Sequence, residues 1–139
     1  MDDAWPRRAY RILVVEDQID TVRSLSMLLS QLGHAVDFAI NGYVALETAE
    51  RFKPDVILLD LGLPGLSGFE VCRQFRAHPD LASCEILAVT AYSDAGMRER
   101  AREAGFDGYY VKPVAAQAWV DVFGDARSGI PARRPPYPP

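Results

Sequence analysis

Lysine is nearly missing from this chain of 139 residues. Lys53 and Lys112 are its only lysines, and arginine supplies the other basic side chains. The formal net charge is −4 at pH 7, whereas domains that bind nucleic acid commonly carry a basic patch. The composition therefore argues against nucleic acid as a partner.

Long apolar segments and closely spaced cysteines are lacking as well. No apolar run approaches the roughly 18 residues that a membrane span needs, and residues 1–11 lack the hydrophobic stretch of a signal peptide. Cys72 and Cys84 do not form a CxxC pair, so we interpret them as reduced thiols of a cytosolic protein. We expect a cytoplasmic location and no membrane partner.

The length fits one domain of about 100–150 residues. We predict an N-terminal leader over residues 1–10, a folded domain over 11–125 and a disordered, proline-rich tail over 126–139. The tail is predicted because residues 128–139 hold five of the ten prolines. Too few residues follow Phe123 to fold a second unit, so we expect no output domain within this sequence.

Short apolar runs alternate with segments of helical spacing along the predicted domain. Ile12–Val15 is wholly apolar, as expected for a strand buried on both faces. Similar runs follow at residues 35–39, 56–59, 86–89 and 109–111, with helical patterns between them. Strands separated by helices predict an α/β fold with five βα units, in which helices cover both faces of a parallel sheet.

Polar residues of different kinds stand at the ends of four predicted strands. They are Glu16 and Asp17, then Asp60, then Thr90, and finally Lys112. In an open parallel sheet all carboxyl ends of the strands lie on one edge, so these side chains should converge there. Three adjacent carboxylates repel one another unless a cation lies among them, and oxygen ligands suit Mg²⁺. With a lysine and a hydroxyl nearby, Asp60 becomes a candidate nucleophile for phosphoryl transfer.

At these residues the chain resembles the receiver domains of two-component signalling. The matching segments run in register from about Arg11 to Phe123 and comprise residues 13–17, 58–65, 67–68, 89–91 and 108–113. Residues 61–65 and 105–109 resemble the corresponding segments of receivers found in hybrid histidine kinases. The resemblance implies a flavodoxin-like three-layer sandwich with strand order 2-1-3-4-5.

The resemblance also implies a role for each matching residue. Asp60 would accept the phosphoryl group, and Lys112 would hold one of its oxygens. Thr90 and Tyr109 would be the switch residues that reposition afterwards. The Mg²⁺ ligands would be Asp60, Asp17, Glu16 (mostly through water) and the backbone carbonyl of Gly62. The Lys112–Pro113 peptide bond would be cis.

The partners that the resemblance implies are a sensor histidine kinase or a histidine phosphotransfer protein upstream, and an unidentified protein downstream. It also allows a homodimer. The chain would not be an enzyme beyond accepting its own phosphoryl group and losing it slowly. Three positions qualify the match: Glu16 replaces a frequent aspartate, Gly62 offers no side chain over the site, and Tyr92 is large. The last two positions flank the path of the attacking water in family members, so they bear on the dephosphorylation rate.

Three alternatives stay open on the sequence alone. A haloacid-dehalogenase-like phosphohydrolase would also use a nucleophilic aspartate, but it would carry a second aspartate at position 62, which is glycine here. A flavin- or nucleotide-binding module would need a phosphate-binding loop after the first strand, where Glu16 and Asp17 would repel a phosphate. A degenerate receiver that only scaffolds is the third, although the set of site residues is complete.

Overall fold

A computed structural model describes residues 9–132 of the chain. Five strands and five helices alternate along this part. The strands are β1 (Arg11–Val15), β2 (Ala35–Ala39), β3 (Val56–Leu59), β4 (Glu85–Thr90) and β5 (Gly108–Val111). The helices are α1 (Ile19–Gln31), α2 (Gly42–Phe52), α3 (Gly68–Ala77), α4 (Ala95–Ala104) and α5 (Ala116–Phe123). No helix within residues 9–132 is long and apolar enough to cross a membrane.

All strands pair in parallel, in the order β2-β1-β3-β4-β5. Successive side chains of a strand point to opposite faces of a sheet. Ile12 and Val14 of β1 pack with α1 and α5, whereas Leu13 and Val15 pack with α2, α3 and α4. The sheet is thus buried on both faces, and the predicted (βα)5 three-layer fold of the flavodoxin-like type is confirmed.

Three helices begin after residues of the types that cap helix N-termini. The side chains of Asn41, Ser67 and Asp94 accept hydrogen bonds from the amides of Val44, Glu70 and Met97 respectively. These bonds satisfy backbone donors that the first helical turn leaves unpaired. Such local chemistry fixes where α2, α3 and α4 start, and with them the loops at the carboxyl edge of the sheet.

The packed part of the chain is longer than the predicted 11–125 range. Tyr10 is almost fully buried. After α5, the Asp125 and Ile130 backbones form an antiparallel bridge, and Ala132 is buried among side chains of the α1 and α5 layer. The structure therefore differs from the expected disorder for residues 126–132. The rest of the predicted leader and tail, residues 1–8 and 133–139, lies outside the described residues.

Candidate functional site

The backbone places three carboxylates together at the carboxyl edge of the sheet. Val15 and Leu59 are paired at the ends of β1 and β3, and the amide of Asp60 donates to the carbonyl of Val15 at 3.1 Å. The residues that follow these two strands therefore emerge side by side. One carboxylate oxygen from each of Glu16, Asp17 and Asp60 lies within 4.8 Å of the others. The convergence predicted for these three residues is present.

Lys112 is held over this acidic cluster by the next two strands. Its amide donates to the carbonyl of Thr90 at 2.8 Å, which extends the β4–β5 ladder by one residue. Its Nζ donates to Oε1 of Glu16 at 2.6 Å and to Oδ2 of Asp60 at 3.2 Å. The Lys112–Pro113 peptide bond that follows is cis, as the resemblance implies.

Burial and mutual contact shift the pKa values of Glu16 and Lys112, which form the shorter ion pair. Burial raises the pKa of Glu16, and the hydrogen bonds from Lys112 and from the Gln18 amide offset it only in part. For Lys112, burial alone would lower the pKa, but the hydrogen bond to Glu16 and the charge of Asp60 raise it overall. The lysine is therefore a fixed positive charge at physiological pH, in contact with Asp60.

The oxygen atoms of the cluster are already partly engaged by the protein. Glu16 accepts from Lys112 through Oε1 and from the Gln18 amide through Oε2 at 3.0 Å. Asp60 accepts from Lys112 through Oδ2 and from the Gly62 amide through Oδ1 at 2.9 Å. An acidic cluster composed only of oxygen donors fits a hard divalent cation such as Mg²⁺. The half-buried Asp17 completes that set.

The two candidate switch residues meet at the loop after β4. Thr90 is fully buried, and its Oγ1 accepts a hydrogen bond from the Tyr92 amide at 3.2 Å. The Tyr109 side chain is also buried, and its hydroxyl donates to the Tyr92 carbonyl at 2.7 Å. Both side chains thus contact one peptide segment, on opposite sides of Tyr92.

Gly62 and the Tyr92 ring lie next to the side chain of Asp60. A Cβ at position 62 would lie 3.6 Å from Oδ1 of Asp60 and 3.9 Å from the Tyr92 ring. The Tyr92 ring, half-exposed, therefore borders the space that a larger residue at position 62 would fill.

Sequence reasoning missed two features of this site. The amide of Gln18, the residue after Asp17, donates a hydrogen bond to the carboxylate of Glu16 and holds it in place. At Gly68, the first residue of α3, a Cβ would come within 2.5 Å of the Asp60 carbonyl oxygen and 2.8 Å of the Leu61 Cα. Residues 67–68 belong to the segments that match the receiver family in sequence, but only the tertiary structure shows that α3 rests against the backbone of Asp60.

The fold and this edge define a class of protein: a flavodoxin-like α/β domain with an acidic cluster and a contacting lysine at the carboxyl ends of its strands. The profile of the family described as the response regulator receiver domain matches residues 12–123. The chain belongs to this family.

Two response regulators are similar to this chain in sequence. The chain is 40% identical over 107 residues to response regulator MprA of Mycobacterium leprae, covering 77% of this chain and 46% of MprA. It is 31% identical over 119 residues to the polar-differentiation response regulator DivK of Brucella anthropi, covering 83% of this chain and 97% of DivK. The chain thus spans about half the length of MprA but nearly all of DivK.

A solved structure carries the same fold. The receiver domain of a sensor histidine kinase from Pseudomonas aeruginosa superposes with a TM-score of 0.73 at 33% identity, covering 81% of this chain and 92% of that domain. That domain holds a magnesium ion coordinated in its active-site cleft.

Proposed function

We propose that this chain is a phosphoacceptor module in which Asp60 receives a phosphoryl group from a phosphohistidine on a sensor histidine kinase or a histidine phosphotransfer protein. The observation that carries the proposal is the contact of Asp60 with Lys112 inside a cluster of three carboxylates. The role is regulatory: the modified domain presents a changed surface to a downstream partner. A cytoplasmic location is part of this proposal.

The transfer forms a bond between a carboxylate oxygen of Asp60 and phosphorus, while the bond between phosphorus and the donor imidazole breaks. Asp60 acts as the nucleophile, and the ammonium of Lys112 faces the negative charge that arrives with the phosphoryl oxygens. Since Lys112 is already within 3.2 Å of Asp60, it needs little movement to do so.

A magnesium ion would be held by Asp60, Asp17 and the backbone carbonyl of Gly62, with Glu16 acting mostly through water. When bound, it would neutralise the crowded carboxylates and the phosphoryl oxygens. The magnesium in the similar Pseudomonas receiver supports this assignment. The engagement of both Glu16 oxygens by Lys112 and Gln18 fits an indirect role for Glu16.

The switch follows from the contacts around Tyr92. Thr90 would turn its hydroxyl from the Tyr92 amide toward the new phosphoryl group, which releases one hydrogen bond of the β4–α4 loop. Because Tyr109 holds the carbonyl of the same residue, the loop and the β5 side chain would respond together. The two orientations form the two-state element that the phosphoryl group biases.

The proposal is tested by intact mass after incubation with Mg²⁺ and a small acyl phosphate. The wild-type protein should gain the mass of one phosphoryl group, and Asp60→Asn should gain none. Asp121→Asn is the matched control, because Asp121 is an exposed aspartate of α5 whose carboxylate accepts a hydrogen bond from Gln117. A gain that survives Asp60→Asn refutes the assignment. Rapid turnover of small phosphomonoesters would instead favour the phosphohydrolase alternative.

A further inference from the structure

Tyr109 is held at two points by different elements. Its hydroxyl donates to the Tyr92 carbonyl in the β4–α4 loop at 2.7 Å. The face of its ring lies under the guanidinium of Arg98 in α4, with Cζ 4.8 Å from the ring centroid. The side chain is 5% exposed, so the two contacts hold a buried orientation.

Through Arg98, the ring contact links Tyr109 to the start of α4. Arg98 lies in the first turn of α4, where its amide donates to the carbonyl of the capping residue Asp94 at 3.3 Å. A cation over an aromatic face is attracted by the ring quadrupole. Tyr109 and the start of α4 are therefore coupled, since an outward rotation of the ring would break the contact with Arg98.

A second arginine of the same helix makes the same kind of contact with a different ring. The Arg100 guanidinium lies 4.4 Å from the centroid of the Phe69 ring. Phe69 belongs to α3, is buried, and packs edge-on against Phe106. It has no hydroxyl and makes no hydrogen bond to the β4–α4 loop, so Arg100 provides an internal reference for the effect of losing one such contact from α4.

We propose that Arg98 is a positioning residue of the switch: it holds Tyr109 in the buried orientation and so couples α4 to the Asp60 site. The coupling to Asp60 rests on the proposed function, whereas the hold on Tyr109 does not. Loss of the cation should lower the ratio of buried to outward Tyr109 by about two- to fivefold, the factor that a partly exposed contact of this kind supports.

The hold on Tyr109 is tested by NMR of the full chain with ¹³C-labelled tyrosine rings, in which Tyr109→Phe assigns the Tyr109 signal. A soluble paramagnetic agent reports how far that ring is exposed. Arg98→Met should increase the exposure of Tyr109, Arg98→Lys should restore part of the protection, and Arg100→Met should leave it unchanged. Equal exposure in wild type and Arg98→Met, or equal effects of the two Met variants, overturns the proposal.

The coupling to Asp60 is tested with Mg²⁺ and beryllofluoride, a mimic of the phosphoryl group. In receiver domains the aromatic at the position of Tyr109 turns inward on activation, so the phosphoryl mimic should favour the buried ring. Arg98→Met should therefore raise the half-saturating beryllofluoride concentration, by up to about fivefold relative to wild type and Arg100→Met. Unchanged or tighter binding overturns the coupling. If the wild type does not bind beryllofluoride, the proposed function fails, and the tyrosine signal still decides whether Arg98 holds Tyr109.

Discussion

Individual side chains determine the chemistry at the carboxyl edge of the sheet. Some of their positions could be predicted from the sequence, and others could not. Asp17, Asp60, Thr90 and Lys112 follow or end strands, so the strand pattern alone brings them to one edge. The direct contact of Glu16 with Lys112 could not be predicted, because it depends on two long side chains choosing one pair of rotamers.

Replacing Lys112 tests the electrostatic role of the lysine. Lys112→Met removes the cation that contacts Glu16 and Asp60. Phosphorylation by a small donor should slow by about 10²-fold, the typical cost of removing one group that stabilises developing negative charge. Mg²⁺ should bind more tightly, because the carboxylates lose their competing cation. Stopped-flow rates and calorimetric Mg²⁺ titrations provide the measurements.

Lys53→Met is the matched control, since Lys53 is the only other lysine and lies exposed at the end of α2. It should leave both the rate and the Mg²⁺ affinity unchanged. A Lys112→Met protein that phosphorylates at the wild-type rate would contradict the role given to Lys112.

Because of Cys72, the free energy of unfolding should depend on pH in the alkaline range. Burial raises the pKa of its thiol to about 11, from 9.0. Because the folded pKa is raised, the unfolded chain loses this proton first as pH rises, and stability falls between about pH 9 and pH 11. Two pKa units correspond to at most about 3 kcal/mol.

Urea unfolding of wild type and Cys72→Ala at pH 8 and pH 10.5 isolates this effect. The wild type should be more stable at pH 8, where its thiol fills the site, and that advantage should shrink at pH 10.5. Other groups that titrate in the same range affect both proteins equally, so their contributions cancel in the difference between wild type and Cys72→Ala. An equal difference in unfolding free energy at the two pH values would show that the thiol ionises normally in the folded protein.

At the scale of elements, helix starts fix the loops that surround the site. The starts of α2, α3 and α4 could be predicted because Asn41, Ser67 and Asp94 carry a local signal in their own side chains. The close approach of α3 to the Asp60 backbone carries no such signal, since it joins two segments through a Cβ that glycine lacks.

Gly68→Ala should therefore disturb the phosphoacceptor from within the scaffold. The added Cβ would overlap the Asp60 carbonyl oxygen and the Leu61 Cα, both backbone atoms that cannot move independently. We expect a loss of about 1–3 kcal/mol in the free energy of unfolding and slower phosphorylation. Denaturant unfolding and the intact-mass assay measure the two effects.

Gly96→Ala supplies the control within another helix. Its Cβ would meet only the Asp94 side chain, at 3.3 Å, and alanine favours the helix over glycine. The variant should be as stable as wild type or slightly more so, and should phosphorylate normally. If the two alanine variants behave alike, the α3 start does not constrain Asp60.

At the scale of the whole molecule, the chain after α5 closes the α1 and α5 side of the domain. The Ala126 amide donates to the Leu32 carbonyl at 2.8 Å. His34 links the same region: its Nδ1 accepts from the Tyr10 amide at 3.0 Å, and its Nε2 lies 3.1 Å from the Gly124 carbonyl oxygen. Composition could not predict this packing, because it arises from contacts between segments far apart in the chain, such as His34 with Gly124, 90 positions away.

Truncation separates this segment from the residues beyond it. A chain ending at Gly124 should lose about 2–4 kcal/mol of unfolding free energy, because it gives up the buried Ala132 and several hydrogen bonds. A chain ending at Ala132 keeps those contacts and should be more stable than the chain ending at Gly124 by that amount. Thermal and denaturant unfolding of the three chains would contradict this account if both truncations were equally stable.

The location of the phosphoryl group tests the central claim most directly. The protein would be incubated with an acyl phosphate in Mg²⁺ or in chelator, reduced with borohydride, which converts an aspartyl phosphate to homoserine, and then mapped by peptide mass spectrometry. The account predicts conversion at residue 60 alone, and only with Mg²⁺. Conversion at another aspartate, or equal conversion at Asp60 in chelator, would contradict it.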